Sequence, residues 1–219
     1  MEDPFTAQML LPDLPNDEPW FELKFHLQEL HGDSRDTLQK LQELKPLLGI
    51  RGESHQLHEE LFTLYGAVHH HAKDHARRAM ELAGHLLTRT PESVPEWKPG
   101  AEGTANFDIP SEVSACTSLE DSRTQLAFHM NALFASVDRA HHSVLRAAGA
   151  RGSMRQVLEA VHAEASAAFA SLHDDALPHA RDAYCWSEQH WRLADPEAAA
   201  AHDQRSAEID AELAALEKE

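Results

Sequence analysis

The chain has 219 residues, 42% of them hydrophobic, and a formal charge of −18, enough apolar material for one large or two small cored domains. That charge, with no basic patch to neutralise phosphates, argues against nucleic acid as the main partner. Cys116 and Cys185 lie far apart and outside any C-x-x-C spacing, so neither a disulfide framework nor a thiolate zinc site is implied.

Residues 1–16 are acidic and broken by prolines, without the basic start and apolar run of a signal peptide. They are expected to form an extended arm. No stretch reaches 18 uninterrupted apolar residues, so no membrane span is expected and the cytoplasm is the expected location. A helix is predicted from Asp17–Pro19 to about Leu48, kinked at His31–Ser34, with Gly49 and Gly52 bracketing a turn. From Glu53 to about Thr90 apolar residues recur at three and four spacing (Leu57, Leu61, Leu64, Val68), which predicts one long helix.

Residues 91–110 carry four prolines and two glycines and read as a linker. Extended, it reaches roughly 60 Å, the length of a helical bundle. A third helix opens at Ser111, or at a Thr117-x-x-Glu120 capping box, and runs to Ala148. After a turn at Gly149–Gly152, a fourth extends to about Trp191 with a kink or break at Pro178. Asp195-Pro196-Glu197 starts a peripheral Ala- and Glu-rich helix.

At an offset of 104, residues 55–79 and 159–183 share eight of 25 positions, among them His58/His162, His69/His173, His75/His179 and Arg77/Arg181. Phe25-His26 likewise matches Phe128-His129, and Arg51-Gly52 matches Arg151-Gly152. The expected fold is therefore all-α: a four-helix bundle of two tandemly repeated long hairpins, with the N-terminal arm and a C-terminal helix attached. The expected division is 1–16 arm, 17–90 hairpin one, 91–110 linker, 111–194 hairpin two and 195–219 C-terminal helix.

Seventeen histidines nearly equal the 19 lysines and arginines, and protonating all of them would move the charge from −18 to −1. The stripe His58, Phe62, Tyr65, His69, Ala72, Ala76 is predicted to face inward, with His162, Phe169, His173, Ala176 and Ala180 matching it. His70, His71 and His85 read as solvated, with His71 and His75 a surface pair. A hairpin turning near residue 150 sets 129 opposite about 171, and one turning near 50 sets 26 opposite about 74. His26, His69, His129 and His173 are accordingly expected to meet at mid-bundle and hold a transition metal, or a haem through two axial imidazoles. Iron, zinc, copper and manganese are not distinguished. A second expected cluster pairs His55 with His58, Asp138 with His141 and Glu159 with His162, each at i, i+3 on one helix face. Trp20, Trp97, Trp186, Trp191 and Phe21 read as core or linker anchors.

On Glu159-x-x-His162 and these inward histidines, the chain over about residues 18–191 resembles the ferritin-like and hemerythrin-like bundles, which hold one or two metal ions through inward carboxylates and histidines. It departs from the ferritin-like pattern where His55 replaces a Glu, and where His26 and His129 stand in place of carboxylates. Those departures point away from di-iron oxygen chemistry and iron storage. The expected function is metal binding for storage, sensing or redox chemistry. The alternative is a non-catalytic interaction protein, responsive between about pH 5 and 7 and binding a protein partner or its own copy.

Overall fold

A computed structural model describes residues 18–88 and 108–216, apart from the side chains of Glu18 and Arg51. The N-terminal arm, Trp97 and most of the linker lie outside the described residues. The described residues form helices and short turns, with no strand among them. Its helices are α1 (Glu18–Leu44), α2 (Ser54–Gly66), α3 (Lys73–Thr88), α4 (Ser111–Ser114), α5 (Leu119–Ala148), α6 (Met154–Ala170), α7 (Leu177–Ala194) and α8 (Pro196–Leu216). A π-helical turn, Ala67–Ala72, joins α2 to α3 in one rod, and another, Ser171–Ala176, joins α6 to α7.

The buried positions explain these rods. In α1 the buried Leu23, Leu27, Leu30, Ser34, Thr37, Leu41 and Leu44 alternate fours and threes, with His26 and His31 buried beside them. That alternation keeps one stripe on the core side of an uninterrupted helix. His31–Ser34 consequently continues α1 without the expected break. In the second rod the series Leu57, Leu61, Leu64, Val68, Ala72, Ala76, Ala79 carries three consecutive fours. The surplus residue would rotate the stripe off the core, and the π turn absorbs it. The series Val161, Ala165, Ala168, Leu172, Ala176, Ala180, Ala183 repeats the pattern 104 residues later. Pro178 follows this second π turn in the first turn of α7, where its missing N–H is tolerated. Ser118, and not Thr117, caps α5 by accepting a hydrogen bond from Asp121 N.

Four rods pack side by side. α1 lies against α3 and α5, α5 also against α6 and α7, α3 against α6, and α2 against α7. Cross-rod pairs give the directions. Lys40–Glu60 and Arg78–Glu22 set the second rod antiparallel to α1. Ser34–His141 lies in the antiparallel seam between α1 and α5, whose other end brings Leu41 and Lys45 to Met130 and Phe134. Arg146–Glu164 and Ser122–His190 set α5 antiparallel to the α6–α7 rod. Running up, down, down and up, the rods place Thr88 at one end, and Cys116, whose carbonyl accepts from Gln189 of α7, at the other.

Two clusters fill the interior. Leu23, Leu27, Leu82, Leu158 and Val161 form the one at the Thr88 end, and Leu41, Leu61, Val68, Leu133, Val137 and Leu172 belong to the other. α8 is peripheral, as its composition implied: Ala199 is its one buried side chain among the described residues, and Arg192 ties it down through Asp203. Among the described residues no helix is long and apolar enough to cross a membrane.

Candidate metal centre

The inward stripe expected on the second rod is a boundary stripe. Ala72 and Ala76 are buried, but His58, Tyr65 and His69 are half-buried and Phe62 is 46% exposed. The core instead takes the Leu57–Leu61–Leu64–Val68 face, because that face carries the larger aliphatic area to remove from water. Histidines consequently line the seams between neighbouring rods, and His75, expected on the surface, is buried.

Two seams carry the same arrangement. Between α1 and α3, His26 Nδ1 lies 2.7 Å from His75 Nδ1, and Phe25 meets both rings edge-on. Between α5 and α7, His129 Nδ1 lies 3.1 Å from His179 Nδ1, and Phe128 meets both rings edge-on. Phe25 and Phe128 are themselves exposed and cap their pairs from outside. Because α1 and α5 run antiparallel and each pair lies near the start of its helix, the pairs sit toward opposite ends of the rods. In each pair one imidazole must donate its Nδ1 proton while the other accepts.

The four-histidine layer expected at mid-bundle does not come together: His26 and His129 each pair with a histidine outside the expected set, His75 and His179, and His69 and His173 belong to neither pair. His69 stacks on Tyr65 beside His70, and His173 stacks on Phe169 with its Nδ1 2.8 Å from Asp174. Register explains the difference. Arg146–Glu164 and His129–His179 centre the second hairpin at about residues 154–155 and not 150, which carries the position opposite 129 from about 171 to 179. In the first hairpin residue 26, expected opposite about 74, meets His75. His75 and His179 are signalled in the sequence as members of the HAR-x-A repeat.

The second expected cluster is dispersed along the rods. His55 packs on Trp191, and His58 stacks on Tyr184 with its Nδ1 2.9 Å from Ser187 Oγ. His141 pairs with Ser34 and lies against His31, while Asp138 is taken by His142. Glu159 is bound to Arg155, and His162 lies beside Gly84 at the other end of the rods from His58. Antiparallel rods send equivalent near-end residues to opposite ends, so 58 and 162 cannot converge.

One group adds a carboxylate to a histidine pair. His129, His179 and Asp182 each offer a ligand atom, all within 4.8 Å of one another. Asp182 Oδ2 is 3.6 Å from His129 Nδ1. Around a metal bound at about 2.0–2.1 Å, tetrahedral donors stand about 3.3 Å apart. The distances of 3.1 and 3.6 Å bracket that spacing. Burial, partly opposed by Asp182, holds the His129 pKa below its usual value and keeps the imidazole neutral, the form that binds metal.

The first seam lacks this third ligand. Residue 78, which is 104 before 182, is an arginine. Its Nε and Nη2 donate to Glu22 Oε1 at 2.8 and 2.6 Å. Burial, the neighbouring His75 and Arg78 together push the His26 pKa down to about 4. The thiols offer no substitute centre: Cys116 and Cys185 are both free, and burial raises Cys185 to about 11, leaving it protonated.

Compared with protein-family models, curated proteins and solved structures, the chain matches none. Its functional reading therefore rests on its own residues.

Proposed function

We propose that this protein is a four-helix bundle of two tandem hairpins that binds one divalent transition metal at the α5–α7 seam through His129, His179 and Asp182. The carrying observation is the convergence of two imidazoles and a carboxylate whose ligand atoms lie within 4.8 Å of one another. Two nitrogens and an oxygen suit zinc, copper, nickel, cobalt or iron better than calcium or magnesium, which prefer oxygen. Three protein ligands leave a coordination position open, as exchange, sensing or redox chemistry requires and a closed structural site does not. Duplication is supported by the coincidence, 104 residues apart, of both π turns and both buried series. A bis-imidazole haem is disfavoured at this pair, because two axial nitrogens stand about 4 Å apart across an iron bound at about 2 Å, and these stand 3.1 Å apart.

The pH-responsive alternative is weaker. Burial keeps His26 and His58 neutral in the folded protein down to about pH 4, so these two rings take up no charge without unfolding across the expected window of about pH 5 to 7. Elemental analysis of untagged protein, with an absorption spectrum after supplying metal and haem separately, tests the reading. One ion per chain and no Soret band are expected. No stoichiometric ion would overturn it.

A further inference from the structure

The two seams differ in one decisive position, and that difference carries a second assignment, which rests on the metal reading of the α5–α7 seam. We infer that the α1–α3 seam is a copy of the metal site in which the Arg78 guanidinium takes the place of the ion and its carboxylate ligand, so that the duplicated protein is single-sited by construction.

Four observations carry this. The imidazole pairs are equivalent in both chain position and geometry, with Nδ1–Nδ1 distances of 2.7 and 3.1 Å. The residue three positions after the second histidine is Asp182 in one copy and Arg78 in the other. Arg78 is 4% exposed, so a full positive charge is fixed inside the first seam. It also contributes to depressing the His26 pKa, as a positive charge at that place must. A cation arriving there would meet a like charge and find Glu22 already engaged by two hydrogen bonds. In the second seam Gln125, which occupies the position of Glu22 relative to its Phe-His pair, is neutral and exposed. No cation is needed there to balance it, and Asp182 is left to face the imidazoles.

A reciprocal exchange in the full chain separates this inference from the reading beneath it. Cobalt(II) alone is the probe, counted by elemental analysis after gel filtration and by its ligand-field absorption. The unaltered chain is expected to hold one ion, and His179→Ala none. Arg78→Asp with Glu22→Gln, placed in the His179→Ala background, is expected to regain one ion. Asp182→Arg with Gln125→Glu is expected to lose the ion while keeping its helical circular dichroism. One ion in the unaltered chain but none in the first-seam variant overturns the inference and leaves the metal reading standing. No ion in the unaltered chain overturns the metal reading and with it the inference that rests on it. If the first-seam variant does not fold, an Asp182→Arg, Gln125→Glu chain that still holds one ion overturns the inference.

Discussion

Asp182 occupies in α7 the place that Arg78 occupies in α3, one 3.6 Å from His129 and the other bonded to Glu22 beneath His26. Opposite charges at matching positions turn two otherwise equivalent histidine pairs into chemically different seams. One is electrostatically complete without a ligand. The other has two nitrogens and an oxygen converging.

The first prediction concerns His129, His179 and Asp182, the residues proposed to hold the metal. Losing an outer-shell partner of a metal typically costs about 10–100-fold in affinity, so losing a direct ligand is expected to cost about 100-fold or more. His129→Ala, His179→Ala and Asp182→Asn should each weaken zinc binding by at least that factor in competition titrations with a chromogenic chelator. His69→Ala and His173→Ala, whose rings stack outside the triad, should leave the affinity unchanged. Equal losses at His173 and His179 would return the site to the mid-rod level.

The helices were legible in the sequence because the three-four alternation that writes them is local. The π turns were not anticipated, although their cause lies in the sequence. Three consecutive fours from Leu64 to Ala76 are one residue too many for a straight stripe, and a single-residue surplus inside a helix has few outlets. His26 and His129 could be singled out by their Phe-His repeat. Their partners were harder to find, because partnership depends on how far each helix overhangs its turn. Moving the centre of the second hairpin by about four residues moves the position opposite 129 by about eight, from 171 past His173 to His179. Asp182 carried no signal of its own, since the residue 104 positions earlier is an arginine and a search for identities passes over it. The His55–His58 and Glu159–His162 grouping failed to converge for a topological reason. Near-end positions on antiparallel rods are separated by the length of the rods, and nothing local in the sequence fixes the direction of the second hairpin.

A second prediction follows from the buried histidines. His26 and His58 both have folded-state pKa values of about 4 against an ordinary 6.5. The unfolded chain therefore takes up protons first as the pH falls. Their contribution is fully present above pH 6.5 and is lost progressively down to about pH 4. Each pH unit between the folded and unfolded values is worth about 1.36 kcal/mol, so each ring withdraws up to about 3 kcal/mol across that window. Asp33 acts with the opposite sign: burial raises its carboxyl from 3.8 to about 6, so its contribution is present below pH 3.8 and lost as the pH rises through 6. It offsets part of the histidine effect. Urea unfolding at pH 7.0, 5.5 and 4.5 should show stability falling with pH, and His26→Gln should flatten the slope. A profile that is flat from pH 7 to 4.5 would contradict the burial of these rings.

A third prediction concerns α8. Its ties to the rods include the double contact of Arg192 with Asp203, the burial of Ala199 and the ring of His202 against Trp191 and His55. An exposed ion pair contributes about 0–1 kcal/mol and a small buried side chain about as much. A chain ending at Asp195 is therefore expected to lose no more than about 2 kcal/mol in denaturant unfolding. Trp191, 3% exposed in the intact chain, should gain solvent contact, moving the tryptophan emission to longer wavelength. Loss of cooperative unfolding would make α8 integral to the rods.

The two Arg-Gly turns supply a last prediction, in which the sequence match hides a backbone difference. Gly152 has φ +129°, a conformation closed to other L-residues, and a Cβ there would stand 2.9 Å from Gln156 Oε1. That oxygen accepts from Ser153 N in the capping box that starts α6, so it cannot withdraw without releasing the cap. Gly52 lies in a 3-10 turn, Arg51–Glu53, and a Cβ there would meet nothing within 4 Å. Gly152→Ala is accordingly expected to destabilise the protein by about 1–2 kcal/mol through the strained φ and the weakened cap. Gly52→Ala should instead change stability by less than about 1 kcal/mol, in the stabilising direction, by narrowing the unfolded ensemble. Equal destabilisation by the two substitutions would mean that both turns need a left-handed residue, and that the hairpins match in backbone as well as in sequence.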